Sequence, residues 1–113
     1  MNNEFWLDWD RYDVADTTKS AFENYFLRGL PPGSFVTAVI CNNFVDAVCK
    51  ADAWNSEQGR LKTIAKWLYN NAPAKAWGSR SAYKDWMNNV DGCRTKFFDN
   101  HSKKQVWKIL EQV

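Results

Sequence analysis

Apolar residues return at helical spacing along most of this chain, and no stretch alternates apolar and polar residues long enough to predict a strand. Ala21, Phe22, Tyr25 and Phe26 form one stripe, which predicts a helix over 17–28 with Asp16 or Thr17 as its cap. Gly29 stands where a left-handed residue ends a helix, and Leu30 is placed to fold back on Tyr25. Pro31 and Pro32 then prevent continuation, because neither has a backbone N–H to donate.

A second helix is predicted to begin near Pro32–Ser34, with Ser34 as cap. Its buried stripe would be Val36, Val39, Ile40, Phe44, Ala47, Val48 and Ala51. Asn42 and Asn43 compete for backbone hydrogen bonds, so one kinked helix and two separate helices both fit. The string Asn55-Ser56-Glu57-Gln58 resembles a capping box for a third element, whose buried stripe is Leu61, Ile64, Ala65 and Leu68. Pro73 stops that helix near Ala72. Ser79 can cap a fourth helix carrying Ala82, Tyr83, Trp86, Met87 and Val90 and ending before Gly92. A last helix within 93–113, capped by Asn100 or Ser102, would place Val106, Trp107, Ile109, Leu110 and Val113 on its apolar face. The expected fold is all-α, a compact bundle of about five short helices joined by short loops. Residues 1–16 form an acidic aromatic N-terminal arm, and residues 17–113 a single helical domain.

A chain of 113 residues is long enough to bury a core without disulfides or metals. Seven tryptophans mean either an aromatic-rich core or a surface that uses Trp as anchors. No apolar run approaches the ~20 residues that span a bilayer. The start, M-N-N-E-F-W-L-D-W-D, has neither a basic leader nor an apolar stretch, so a cytoplasmic chain with no membrane partner is expected. Cys41, Cys49 and Cys93 are an odd count without C-x-x-C spacing, which argues against a disulfide framework and a zinc site. Cys41 and Cys49 fall on apolar helical positions, where free Cys acts as a small hydrophobe.

Charge divides the chain. Residues 1–57 hold nine acids and four bases, and residues 58–113 hold eleven bases and four acids. Either the second half carries a basic binding face, or the two halves attract each other within one fold; the second reading is the plainer one.

An ordered set of motifs carries a resemblance. R-G-L-P-P-G-S-F-V-T-A-V-I begins at Arg28, A-D follows at 51–52, L-Y-N-N-A-P at 68–73 and W-G-S at 77–79. The set is similar to a widespread group of small proteins encoded by bacteriophages and prophages. In that group R-G-I-P-P-G-x-F-L-T-A-V-L precedes A-D, Y-L-Y-N-x-x-P and W-G-S-P-x-x-V-x-x-W. In this chain Arg80 replaces the proline after the serine, and Tyr83 stands at the aliphatic position. The match covers residues 28–86. It implies a viral protein acting in a bacterial cytoplasm and supplies no catalytic residue, because it is a likeness of scaffold.

Enzyme chemistry finds little support in the residues. His101 is a lone histidine beside a predicted helix start, a place usually occupied by a solvent-facing cap neighbour. No G-x-x-x-x-G-K-[ST] phosphate loop occurs. Asp8, Asp10 and Asp13 have partial calcium-loop spacing, but the glycine and terminal glutamate are missing. No catalytic set, cofactor or metal is therefore expected. Protein binding fits better: Phe5, Trp6, Asp8, Trp9, Asp10 and Tyr12 combine acids that steer an encounter with rings that anchor it. The plainer reading packs Trp6 and Trp9 back onto the bundle. The expectation is a phage-encoded, non-enzymatic accessory protein that binds a bacterial host protein, a role that extends to inhibiting host metabolism or defence. The alternative is nucleic-acid binding through Lys62, Lys66, Arg80, Lys84, Arg94, Lys96, Lys103 and Lys104, with Trp77, Trp86 or Trp107 stacking on bases. Gly29, Pro31, Pro32, Gly33, Pro73, Trp77 and Gly78 read as structural.

Overall fold

A computed structural model describes residues 9–10, 12–52, 55 and 59–99. Among them the chain forms α1 (Asp16–Arg28), α2 (Ser34–Ile40), α3 (Phe44–Lys50), α4 (Arg60–Asn71), α5 (Arg80–Met87) and α6 (Cys93–Asp99). Two 3-10 turns, Ala74–Ala76 and Val90–Gly92, precede α5 and α6. No strand occurs among the described residues. The radius of gyration is 13.5 Å, close to the ~13 Å of a compact chain of this length. The bundle is all-α, as the periodicity predicts, with more and shorter helices.

Local chemistry explains the divisions. Ala15, not Asp16 or Thr17, occupies the cap position of α1, and Asp16 sits inside the first turn, where its charge favours the helix dipole. Gly29 takes the left-handed conformation (φ 67°), and its N–H donates to Tyr25 O at 2.8 Å. Leu30 stays exposed instead of closing over that end. Gly33, at φ 86°, takes the cap of α2, so Ser34 becomes the first helical residue. The Asn42-Asn43 pair breaks the predicted second helix in two. Asn42 adopts φ 59°, which Asn tolerates better than most residues. Asn43 then caps α3 by accepting a hydrogen bond from Asp46 N. Helix α4 begins at Arg60, after the predicted capping-box segment. Asn55 is buried instead, its N–H on Asp52 Oδ1 and its amide against Thr18; residues 56–58 lie outside the described residues. Ser79 does cap α5, accepting from Ala82 N at 3.0 Å. That helix ends at Met87, short of Val90, because Asn89 turns left-handed and its Oδ1 accepts from Arg94 N and Thr95 N, the open donors of α6. Residues 100–113, with the predicted caps Asn100 and Ser102, lie outside the described residues.

Helix α1 forms the centre of the core. Phe22, Tyr25 and Phe26 are fully buried, as are Trp67 of α4 and Trp86 of α5. Each such side chain contributes about 1.5–3 kcal/mol through burial. Phe22 and Phe26 meet Trp67 at ring centroids 5.4 and 6.0 Å away. The polar atoms of Tyr25 and Trp86 are satisfied by backbone: the Tyr25 hydroxyl donates to Ala76 O at 2.8 Å, and Trp86 Nε1 donates to Phe26 O at 3.1 Å. Gly78 N donates to Ile40 O at 2.8 Å, tying the W-G-S segment to the end of α2. Residues ahead of α1 join the core too. Val14 is buried, and Trp9 stacks on Trp67 with centroids 3.8 Å apart.

Candidate functional site

Two stripes predicted to be buried are open in part, and their open residues border the same space. On α3, Phe44 is 76% exposed and Val48 42%. On α4, Ala65 is exposed and Leu61 half-buried, while Trp67 takes the inward place beside Ile64 and Leu68. The two helices flank an open groove of about 610 Å³. Its wall includes Val39 of α2, Phe44, Ala47 and Val48 of α3, Leu61, Ala65 and Tyr69 of α4, and Trp77 beyond them. Tyr69 is 78% exposed. Exposed aromatic and branched side chains gathered in one concavity make this groove the candidate site.

The division at Asn42-Asn43 creates this site. A continuous helix would hold Phe44 and Val48 in register with the buried face of Val36 and Ile40. The turn re-aims α3, leaving Ala47 as its buried residue.

The polar part of the wall is cationic and amide. Lys62 and Lys66, four residues apart and exposed, lie one position over from the apolar row Leu61–Ala65–Leu68. No lining residue is acidic. Asp46, the carboxylate of α3, is not in the wall; it accepts from Asn43 Nδ2 at 3.0 Å and lies 3.9 Å from Lys50. A second, broader depression of about 1030 Å³ shares Tyr69 and Trp77 with the groove. Lys75, Asp85, Asp91 and Lys96 give it a mixed lining.

Of the arm residues, Phe5, Trp6 and Asp8 lie outside the described residues. Trp9 is half-buried, and its Nε1 donates to Glu23 Oε1 at 3.1 Å. Tyr12 is half-buried, its hydroxyl accepting from Asn70 Nδ2 at 3.4 Å, and Asp10 is exposed. Of the basic set, Lys62 and Lys66 share the groove, while Arg80 and Lys84 lie exposed on α5 and Lys96 on α6. Arg94 is half-buried under Gly29, and its Nη1 donates to Trp86 O at 2.9 Å and Met87 O at 3.3 Å, so it closes the end of α5. Lys103, Lys104, His101 and Trp107 lie outside the described residues. Trp86, offered to bases in the alternative reading, is fully buried.

Nucleophilic and metal chemistry gain nothing from the described residues. Burial pushes the Cys41 thiol up, with Arg80 offsetting part of the effect, so it stays a thiol rather than the reactive thiolate. Cys49 is exposed, against the expectation that it packs as a small hydrophobe. No group of three metal-ligating side chains comes together among the described residues, and no described helix is long and apolar enough to cross a membrane. Reasoning from periodicity missed the groove, because it assigned both walls to the core. The Asn-Asn pair was the signal that could have found it.

Comparison with protein-family models, with curated protein sequences and with solved structures returns no match to this chain.

Proposed function

We propose that this chain is a phage-encoded, non-enzymatic accessory protein that acts in the bacterial cytoplasm by binding a host protein, and so inhibits host metabolism or defence. The phage origin rests on the motif resemblance over residues 28–86. The observation that carries the binding reading is the apolar groove between α3 and α4, with Phe44, Val48 and Tyr69 left to solvent. Interface centres are built from such aromatic and branched anchors, with polar groups at the rim.

The test is capture from nuclease-treated bacterial lysate by the intact chain and by a Phe44→Ser/Val48→Ser variant. One dominant protein retained by the first and lost by the second supports the reading. A chain that captures no groove-dependent protein but is held on a DNA or RNA column, with affinity falling steeply as salt rises, belongs to the nucleic-acid alternative.

A further inference from the structure

We infer that the occupant of the α3–α4 groove is an amphipathic helix of the partner, about two turns of which are seated, with carboxylates flanking its apolar stripe. This rests on the protein-binding reading above and specifies what is bound.

Length comes first. The α4 positions in the wall run from Leu61 to Asn70, nine steps along one helix, or about 13.5 Å at ~1.5 Å per residue. An occupant helix presenting anchors at i, i+4 and i+7 spans about 10 Å and fits within that wall. Backbone chemistry favours a helix over an extended strand. The wall is mainly aliphatic and aromatic, and no sheet edge exists among the described residues. A strand lying there would leave its N–H and C=O groups unpaired on the apolar side, whereas a helix satisfies its own.

Charge selects the flanks. Helix α4 contains no acid, and Lys62 and Lys66 project one position over from its apolar row. Neither lysine makes an ion pair among the described residues. Asp46, the acid of α3, is not in the wall and pairs with Asn43 and Lys50 of its own helix segment. An incoming carboxylate meets two open cations, and an incoming lysine meets repulsion.

The experiment uses the full chain and three labelled helical peptides with the same Leu stripe and flanks of Glu, Gln or Lys, read by fluorescence anisotropy. The Glu peptide binds tighter than the Gln peptide by on the order of tenfold, as two rim pairs allow, and the Lys peptide binds weakest. Raising salt compresses the differences. Lys62→Glu/Lys66→Glu reverses the order, and Phe44→Ser/Val48→Ser weakens all three peptides. These side chains are exposed, so circular dichroism melts should show every variant folded. Equal binding of the three peptides, no binding, or an order unchanged by charge reversal overturns the inference. So does light scattering that shows a dimer abolished by Phe44→Ser/Val48→Ser, since the groove then belongs to a second copy. Binding that appears only after removal of residues 1–8 or 100–113 assigns the groove to the chain's own terminus and also overturns it. Groove-dependent lysate capture without any acidic preference would sink this inference and leave the proposed function standing.

Discussion

Replacing Gly29 by alanine tests how tightly the ends of α1, α5 and α6 are locked together. A Cβ at this position would run into the Arg94 guanidinium and lie 2.8 Å from the Met87 carbonyl oxygen. The left-handed backbone (φ 67°) itself costs alanine about 1 kcal/mol. Arg94 can swing away, but it then gives up its bonds to Trp86 O and Met87 O, at about 1.5–3 kcal/mol for a charged donor. The Met87 carbonyl belongs to the backbone and yields only if the end of α5 shifts, which adds roughly 1 kcal/mol of overpacking. The expected loss is about 3–5 kcal/mol, a large part of the stability of a domain this size. It corresponds to a melting temperature lower by about 12–20 °C. Urea denaturation of Gly29→Ala, Arg94→Ala and the double variant gives the coupling directly. Because Arg94→Ala removes one of the two obstructions and the bonds it would forfeit, Gly29→Ala should cost about 1.5–3 kcal/mol less in that background. A cost near 1 kcal/mol in both backgrounds, the price of the backbone conformation alone, would refute the close approach of Arg94 and Met87 to Gly29.

Four further outcomes follow from named contacts. Tyr25→Phe leaves the carbonyls of Ala76 and Tyr83 without their buried donor and should cost about 1–2 kcal/mol in urea denaturation. Burial, reinforced by Tyr83, pushes the Tyr25 phenol well above its usual value of 10.0; the folded state thus favours the protonated form. That contribution is complete below about pH 10 and is lost as pH rises further, so ultraviolet titration should show Tyr25 ionising only with alkaline unfolding. Trp9→Ala removes the stack on Trp67 and the Glu23 hydrogen bond and should cost about 2 kcal/mol, seen as a lower melting temperature; an unchanged melt would show that Trp9 is not part of the packed domain. Phe44→Ser, at an exposed position, should stay within about 0.5 kcal/mol of the parent in the same melts, and a large loss would mean that something covers the groove in the free chain.

The features legible in the sequence are those that act within one turn of helix. Gly29 ends α1, Ser79 caps α5 and Pro73 lies just past the end of α4, each through its own backbone or side-chain chemistry. Trp86 and Tyr25 fall on their predicted apolar faces and are buried. What was not legible depends on partners distant in sequence. Asn89 fits the α5 pattern until its side chain takes the first N–H groups of α6. Trp67 lies off the predicted α4 stripe, and it faces inward against Trp9, Phe22 and Phe26, which are distant in sequence. Asn42 and Asn43 left one helix or two equally open, because an isolated Asn pair states a weakness and not an angle.

The groove is the consequence of that undetermined angle. Periodicity groups positions by spacing, yet within α4 it set Leu61 and Ala65 with the buried Ile64 and Leu68 and left out the buried Trp67, and within α3 it set Phe44 and Val48 with the buried Ala47. It does not say what a face meets. When the chain turns left-handed at Asn42 and restarts at Phe44, the face of Val36 and Ile40 stays on the core and that of Phe44 and Val48 leaves it. When Trp67 takes the inward position of α4, Leu61 and Ala65 rotate outward to face the same space. Each shift forgoes apolar burial that a straighter chain could have had. Folding stability gains little from Phe44 in water, and under the proposed function that side chain and the two lysines of the same groove have a common use. That use is the binding of a complementary surface.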